Sequence, residues 1–213
     1  MEARSQEISC KKNKDIRLTI IPGHFATSHS HINYYVDLTA VKVSHRMAKA
    51  AGEELSSRFR TTTNVDTIVC LEGTEVVGAF LANDLVKEGH RSFNTNKSIS
   101  VLTPEPIADG RMFFRDNVQK MVWGKDILLL VASATTGKTT RSMVDCIRYY
   151  NGRVVGLAAL FSAAHTVEGL EVQALFTEDD LPHYETFRPN DCQMCQGKQK
   201  IDALVNSYGY SKL

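Results

Sequence analysis

Residues 126–131, DILLLV, form an unbroken apolar run that leads straight into the small polar stretch 132–140. Without polar alternation, such a run fits a strand buried on both faces, as in a parallel sheet covered by helices. Residues 141–150 follow as a helix, with Met143, Val144 and Ile147 facing inward and Asn151-Gly152 as its stop. A strand, a Thr/Gly turn and a helix start in succession aim backbone N–H groups and the positive helix end at one point, where an anion can be held. Ala134, Thr135, Thr136, Gly137, Lys138, Thr139 and Thr140 therefore make a candidate phosphate loop. The threonine hydroxyls add donors, Gly137 admits close approach, and Lys138 adds a formal charge. A polar turn with a capping threonine is the plainer reading of the same residues.

The rest of the chain supplies a matching frame. Apolar positions between 38 and 59 recur at three- and four-residue steps and predict an amphipathic helix after a short entry segment. Residues 66–71 predict a buried strand, 72–74 a tight loop and 76–86 a second helix. Residues 99–102, 154–161 and 172–176 predict further strands. Residues 87–125 hold mostly turn punctuation, a long loop that reads as a lid or a disordered segment. Strands alternating with helices imply a largely parallel sheet. One domain of 213 residues is expected, with a hood segment at about 1–37, an α/β core at about 38–180 and a tail at about 181–213.

Charge narrows the partners. Lysine plus arginine (25) nearly balance aspartate plus glutamate (24), so no uniform field draws nucleic acid or an anionic membrane, and an anionic ligand must be held locally. No apolar stretch approaches a membrane span, and the first residues lack a signal-peptide core, so a cytoplasmic protein is expected. Five cysteines, three of them scattered, make a poor disulfide framework. Cys70, within an apolar strand, reads as a buried hydrophobe. Cys192-x-x-Cys195 is half of a zinc site, to be completed by Cys10, His183 or a second subunit; the alternative is a pair of free or reversibly oxidised thiols. His24, His29 and His31, lacking matching ligand spacing, read as a polar wall for a ligand rather than as a metal cluster.

Two families place a loop like 134–140 after a buried strand. The Walker A pattern finds its second half in Gly137-Lys138-Thr139, but its first glycine falls on Ala132. The segment 127–139, ILLLVASATTGKT, resembles instead the phosphoribosyl pyrophosphate (PRPP) motif of type I phosphoribosyltransferases. Upstream, 66–78, DTIVCLEGTEVVG, is similar to the strand, pyrophosphate loop and helix of the same family. Residues 23–37, GHFATSHSHINYYVD, resemble the N-terminal segment of the orotate branch, and 189–197, PNDCQMCQG, the cysteine-bearing tail of some of its members.

The resemblance implies a Rossmann-like, mostly parallel sheet flanked by helices under a small N- and C-terminal hood, in a homodimer. It implies transfer of ribose 5-phosphate from PRPP to a nitrogenous base of the orotate type, with release of pyrophosphate and help from Mg²⁺. By the same resemblance, Glu72, Gly73, Thr74 and Glu75 form the pyrophosphate loop, and Phe25, His31, Tyr34 and Tyr35 bind the base. Arg111 and Arg115 take the place of a lysine-rich loop that clamps the leaving group, unless 111–115 is an ordinary solvated hairpin. The acidic pair that holds the ribose hydroxyls in the family is replaced by Val131 and Ala132. That replacement motivates a second expectation, a non-catalytic module that binds PRPP or a nucleotide monophosphate without turnover.

Overall fold

The computed structural model describes residues 1–213 except 90, 108–110 and 182. The chain opens with β1 (Gln6–Ser9), β2 (Arg17–Ala26) and β3 (His31–Asp37), then α1 (Thr39–Val43) and α2 (His45–Phe59). The entry segment ahead of the predicted helix is itself helical, α1, and Ser44, extended (φ −78°, ψ 116°), separates it from α2. A βαβ unit follows: β4 (Thr67–Cys70), α3 (Glu75–Leu85) and β5 (Ser100–Leu102). The predicted loop beyond it carries a two-stranded hairpin, β6 (Glu105–Pro106) with β7 (Met112–Phe113), and the short α4 (Asp116–Gln119). Then come β8 (Asp126–Ala134), α5 (Lys138–Tyr149), β9 (Arg153–Ser162), β10 (Thr166–Val167) and β11 (Leu170–Thr177). The chain closes with β12 (Thr186–Phe187), α6 (Gln193–Gln196), β13 (Ala203–Asn206) and β14 (Gly209–Lys212).

The core sheet runs β10-β11-β9-β8-β4-β5, parallel throughout except for the β10 edge. Its centre is β8, whose side chains alternate between two cores. Leu128, Leu130 and Ala132 join Ala51, Leu55, Val77 and Leu81 under α2 and α3. Ile127, Leu129 and Val131 join Met143, Val144 and Ile147 under α5. The run is apolar at every position because both faces are covered. Cys70 is fully buried against α3, and burial pushes its thiol up to about 12, consistent with an inert packing residue.

A second sheet, β12-β3-β2-β13-β14 with β1 also on β2, forms the hood. It joins the two ends of the chain, since β13 lies parallel to β2 with Ala203 opposite Phe25. Ile21, Phe25, Ile32, Tyr35, Ala203 and Val205 make its own small core.

Candidate phosphate and sugar site

Strand order places the site. From β4 the chain steps outward to β5, and β8 returns on the other side of β4, so β4 and β8 are neighbours whose following loops diverge. At such a switch point the loops after the strands' carboxyl ends leave a crevice for a ligand. The loop after β4 is 71–74; the loop after β8 is 135–137.

Glu72 (φ 62°) and Gly73 (φ 79°) are both left-handed, a tight reversal that strains a glutamate by about 1 kcal/mol or more. Thr74 Oγ1 donates to the carbonyls of Leu71 (2.9 Å) and Leu130 (3.2 Å) and locks this loop onto β8. In the second loop Gly137 (φ 70°) is the residue before α5, and Arg141 N–H closes the first helical bond on its carbonyl at 2.8 Å. Ser162 Oγ donates to the Ala134 carbonyl at 3.0 Å and fixes the loop's root. Helix α5 directs its first N–H groups and its positive end into the crevice.

A cavity of about 260 Å³ opens there, lined by Thr135, Thr136, Gly137, Lys138, Thr139 and Thr140 on one side and by Tyr35, Leu38, Lys42 and the 27–30 turn on another. Ala134 lies just beneath, buried. Glu72 is the acidic residue of the lining, and its Oε2 accepts the Ser133 N–H at 3.1 Å, tying the two loops together. Burial raises its carboxyl above the usual range, against the Ser133 N–H and the charge of Lys42, which lower it. Lys42 is nearly inaccessible, and Nζ donates to the carbonyls of Glu72 (3.1 Å) and Ser207 (2.6 Å). Burial lowers its pKa, while Glu72, Asp37 and Glu75 oppose the shift. Sequence reasoning missed Lys42, which sits between Val41 and Val43 without any local pattern to mark it.

The raised carboxyl has a consequence for stability. A folded-state pKa above the unfolded one favours folding when the group is protonated, and that advantage is lost as pH rises through the folded value. Wild-type stability minus that of Glu72→Gln should therefore fall as pH rises above the ordinary carboxylate range. Urea midpoints at several pH values measure it, and a difference independent of pH would refute the assigned burial.

The other expected site residues are spread more widely. Tyr35 lines the cavity, Phe25 lies beneath it in the hood core with ring centroids 6.0 Å apart, and Tyr34 faces the main core from the opposite side of β3. His31 turns towards Cys195, 3.3 Å from Nδ1 to Sγ. Gly73 lies beside Lys42, and Glu75 opens α3 and accepts a hydrogen bond from Thr103 at 2.9 Å. Arg115 grips Glu105 through three contacts of 2.7 to 3.1 Å, with its guanidinium 4.9 Å from the Phe113 ring centroid. Arg111 stands on the same hairpin, and neither arginine is among the residues lining the cavity. Cys192 and Cys195 sit beside His24 and His31; the expected partners Cys10 and His183 are not in that group, and Cys10 Sγ instead points at the Leu175 carbonyl.

Val131 and Ala132 occupy unlike places. Val131 faces the α5 core, whereas Ala132 borders the cavity from the opposite face of β8.

No family model matches the chain. In sequence it is similar to the orotate phosphoribosyltransferase of Desulforamulus reducens, 24% identical over 180 residues that cover 83% of this chain and 84% of the relative. In structure it is similar to the Mycobacterium tuberculosis orotate phosphoribosyltransferase, with a TM-score of 0.51 at 21% identity over 78% of this chain and 93% of the other. The adenine phosphoribosyltransferase of Thermoanaerobacter pseudethanolicus aligns with a TM-score of 0.50 at 15% identity over 83% and 96%. The fold is that of the type I phosphoribosyltransferases. Within that class the chain's sequence resembles the orotate branch. No helix among the described residues is long and apolar enough to cross a membrane.

Proposed function

We propose that the protein transfers ribose 5-phosphate from PRPP to a nitrogenous base of the orotate type, releasing pyrophosphate. The observation that carries this reading is the meeting of the Thr-rich loop, the Glu72 turn and Tyr35 around one cavity at the sheet's switch point. Loop 135–140 holds the 5′-phosphate by backbone and hydroxyl donors, with Lys138 beside it. Lys42 and the left-handed Glu72-Gly73 turn face the pyrophosphate. Tyr35 and the 27–30 turn form the wall against which the base lies. As the bond from the sugar C1 to pyrophosphate breaks, a bond from C1 to the base nitrogen forms, and the site contributes positioning and charge rather than a nucleophile.

The donor set suits Mg²⁺ carried in by substrate phosphates, with Glu72 as the single protein carboxylate, and not a dedicated all-protein site. When bound, the ion offsets charge on the departing pyrophosphate. Arg111 and Arg115 belong to this proposal as clamps only after β6 and β7 swing towards the cavity. Assembly as a homodimer goes with the same reading, supported by Val43 and Val76, exposed apolar residues near the pyrophosphate loop. Sedimentation velocity is expected to give about 47 kDa, twice the 23.7 kDa of the chain.

The Val131 and Ala132 replacement favours a second reading, a module that binds a nucleotide monophosphate or PRPP without turnover. Calorimetry with PRPP and Mg²⁺, followed by an assay of pyrophosphate release with orotate, separates the two. Binding with orotate-dependent release is expected. Binding of orotidine monophosphate with no release selects the second reading, and no heat with either ligand sinks both.

A further inference from the structure

Away from the phosphate loop, four soft side chains converge where the hood meets the C-terminal segment. His24 is at the end of β2, His31 begins β3, Cys192 precedes α6 and Cys195 lies within it. One donor atom from each lies within 4.8 Å of all the others. His24 Nε2 is 3.0 Å from His31 Nδ1 and 3.6 Å from each sulfur, and His31 Nδ1 is 3.3 Å from Cys195 Sγ. A tetrahedral zinc ion with ordinary Zn–N and Zn–S bonds has edges of about 3.3 Å between nitrogens, about 3.6 Å from nitrogen to sulfur and about 3.8 Å between sulfurs. The four edges from His24 and from His31 to Cys195 match these to within a few tenths of an ångström, and the remaining two are no longer than 4.8 Å.

From this geometry we propose that His24, His31, Cys192 and Cys195 bind one zinc ion in a closed Cys₂His₂ site. The surroundings are built for it. His24 Nδ1 lies 2.9 Å from the Gln199 carbonyl, which can only accept, so Nδ1 carries the proton and Nε2 turns its lone pair to the centre. His24 is also held at both backbone ends by Asp202: its N–H donates to Oδ2 at 3.0 Å, and its carbonyl accepts the Asp202 N–H at 2.7 Å. A side chain at Gly23 would meet Asp202 Oδ2 at 2.4 Å, so the neighbouring glycine is required by the same support. Two thiolates and two imidazoles in tetrahedral array select zinc over the hard, oxygen-seeking cations. With four protein ligands no position is left for substrate, which makes the ion structural.

Its role follows from connectivity. His24 and His31 bracket the turn 25–30, part of which lines the cavity, and the two cysteines come from the far end of the chain. The ion would pin that turn to the C-terminal segment and set one wall of the cavity.

The test uses the full chain, expressed without a metal-binding tag in zinc-supplemented medium. Inductively coupled plasma mass spectrometry is expected to give about one zinc per chain, falling below about 0.1 in Cys195→Ala and in His31→Ala. Both positions are at least partly exposed, so these variants should stay soluble. Cobalt substitution of the wild type should give the visible absorption of tetrahedral Co²⁺ with a thiolate charge-transfer band, a signature that does not depend on any variant folding. The chelated protein should melt on the order of 10 °C lower and recover on adding Zn²⁺ alone. Wild-type protein with under about 0.1 zinc, no cobalt spectrum and a Cys192–Cys195 disulfide on exposure to oxidant would overturn the proposal in favour of a redox pair.

Discussion

Replacing Gly137 by valine is expected to weaken PRPP or orotidine monophosphate binding by at least about 100-fold, roughly 2.7 kcal/mol. Two independent effects act at this position. Its φ of 70° lies in the left-handed region, which a β-branched residue enters only with strain. An added Cβ would also meet Val167 Cγ2 at 3.1 Å, so the loop must shift away from β10. The backbone donors of 135–140 then no longer point at one centre, and the anion loses several at once. Calorimetry on wild type and variant, with circular dichroism to show that the fold survives, measures it. Unchanged affinity in a folded Gly137→Val would mean that the ligand phosphate lies elsewhere.

Placing an aspartate at Val131 is expected to cost about 3 to 5 kcal/mol of stability. Val131 is 1% exposed, among Met143, Val144 and Ile147, and an aspartate there buries a charge without a partner. Ala132 is as buried as Val131 but borders the cavity, so Ala132→Asp should cost less, with its carboxylate able to turn towards the cavity. That carboxylate stands near Glu72, so Ala132→Asp should also strengthen Mg²⁺-dependent PRPP binding. Chemical denaturation of the two variants gives the comparison, and equal losses would contradict the assigned faces of β8. Positions 131 and 132 are therefore unlike: both are buried, but only Ala132 also borders the cavity.

The α/β core was legible because its signals are local. An apolar run with both faces covered can only be a central strand, and the Thr/Gly turn after it marks the loop whatever the rest of the chain does. β8 in fact extends to Ala134, β9 spans Arg153–Ser162, and each is slightly longer than the apolar run that announced it. Ser44 hid the break between α1 and α2, since apolar spacing continues across it. The hairpin of β6 and β7 is two residues a side and too short for any period to show. The hood strands gain their meaning from partners far along the chain: Phe25 pairs with Ala203, and the Val205 that packs near it follows Leu204, which is exposed, so the local pattern does not single out the buried side chain. The histidines and cysteines of the cluster are 161 to 171 residues apart, so spacing rules could mark the Cys192-x-x-Cys195 half but neither the histidine half nor their meeting. Lys42 was invisible for the same reason, its carbonyl partners lying 30 and 165 residues away.

The weaving of β13 between β2 and β14 also sets a timetable for synthesis. Every strand of the core sheet has left the ribosome once residue 177 has emerged, and its parallel pairs can assemble while translation continues. The hood is completed later: β1, β2 and β3 pair locally, but the β2 end at Phe25 and Ala26 waits for Ala203 and Leu204, some 180 positions downstream, and the loop to be closed is nearly the length of the chain. A nascent chain therefore passes through a stage with a finished nucleus and an open end of β2 at Phe25 and Ala26, the state in which a chaperone or a second nascent copy would find it.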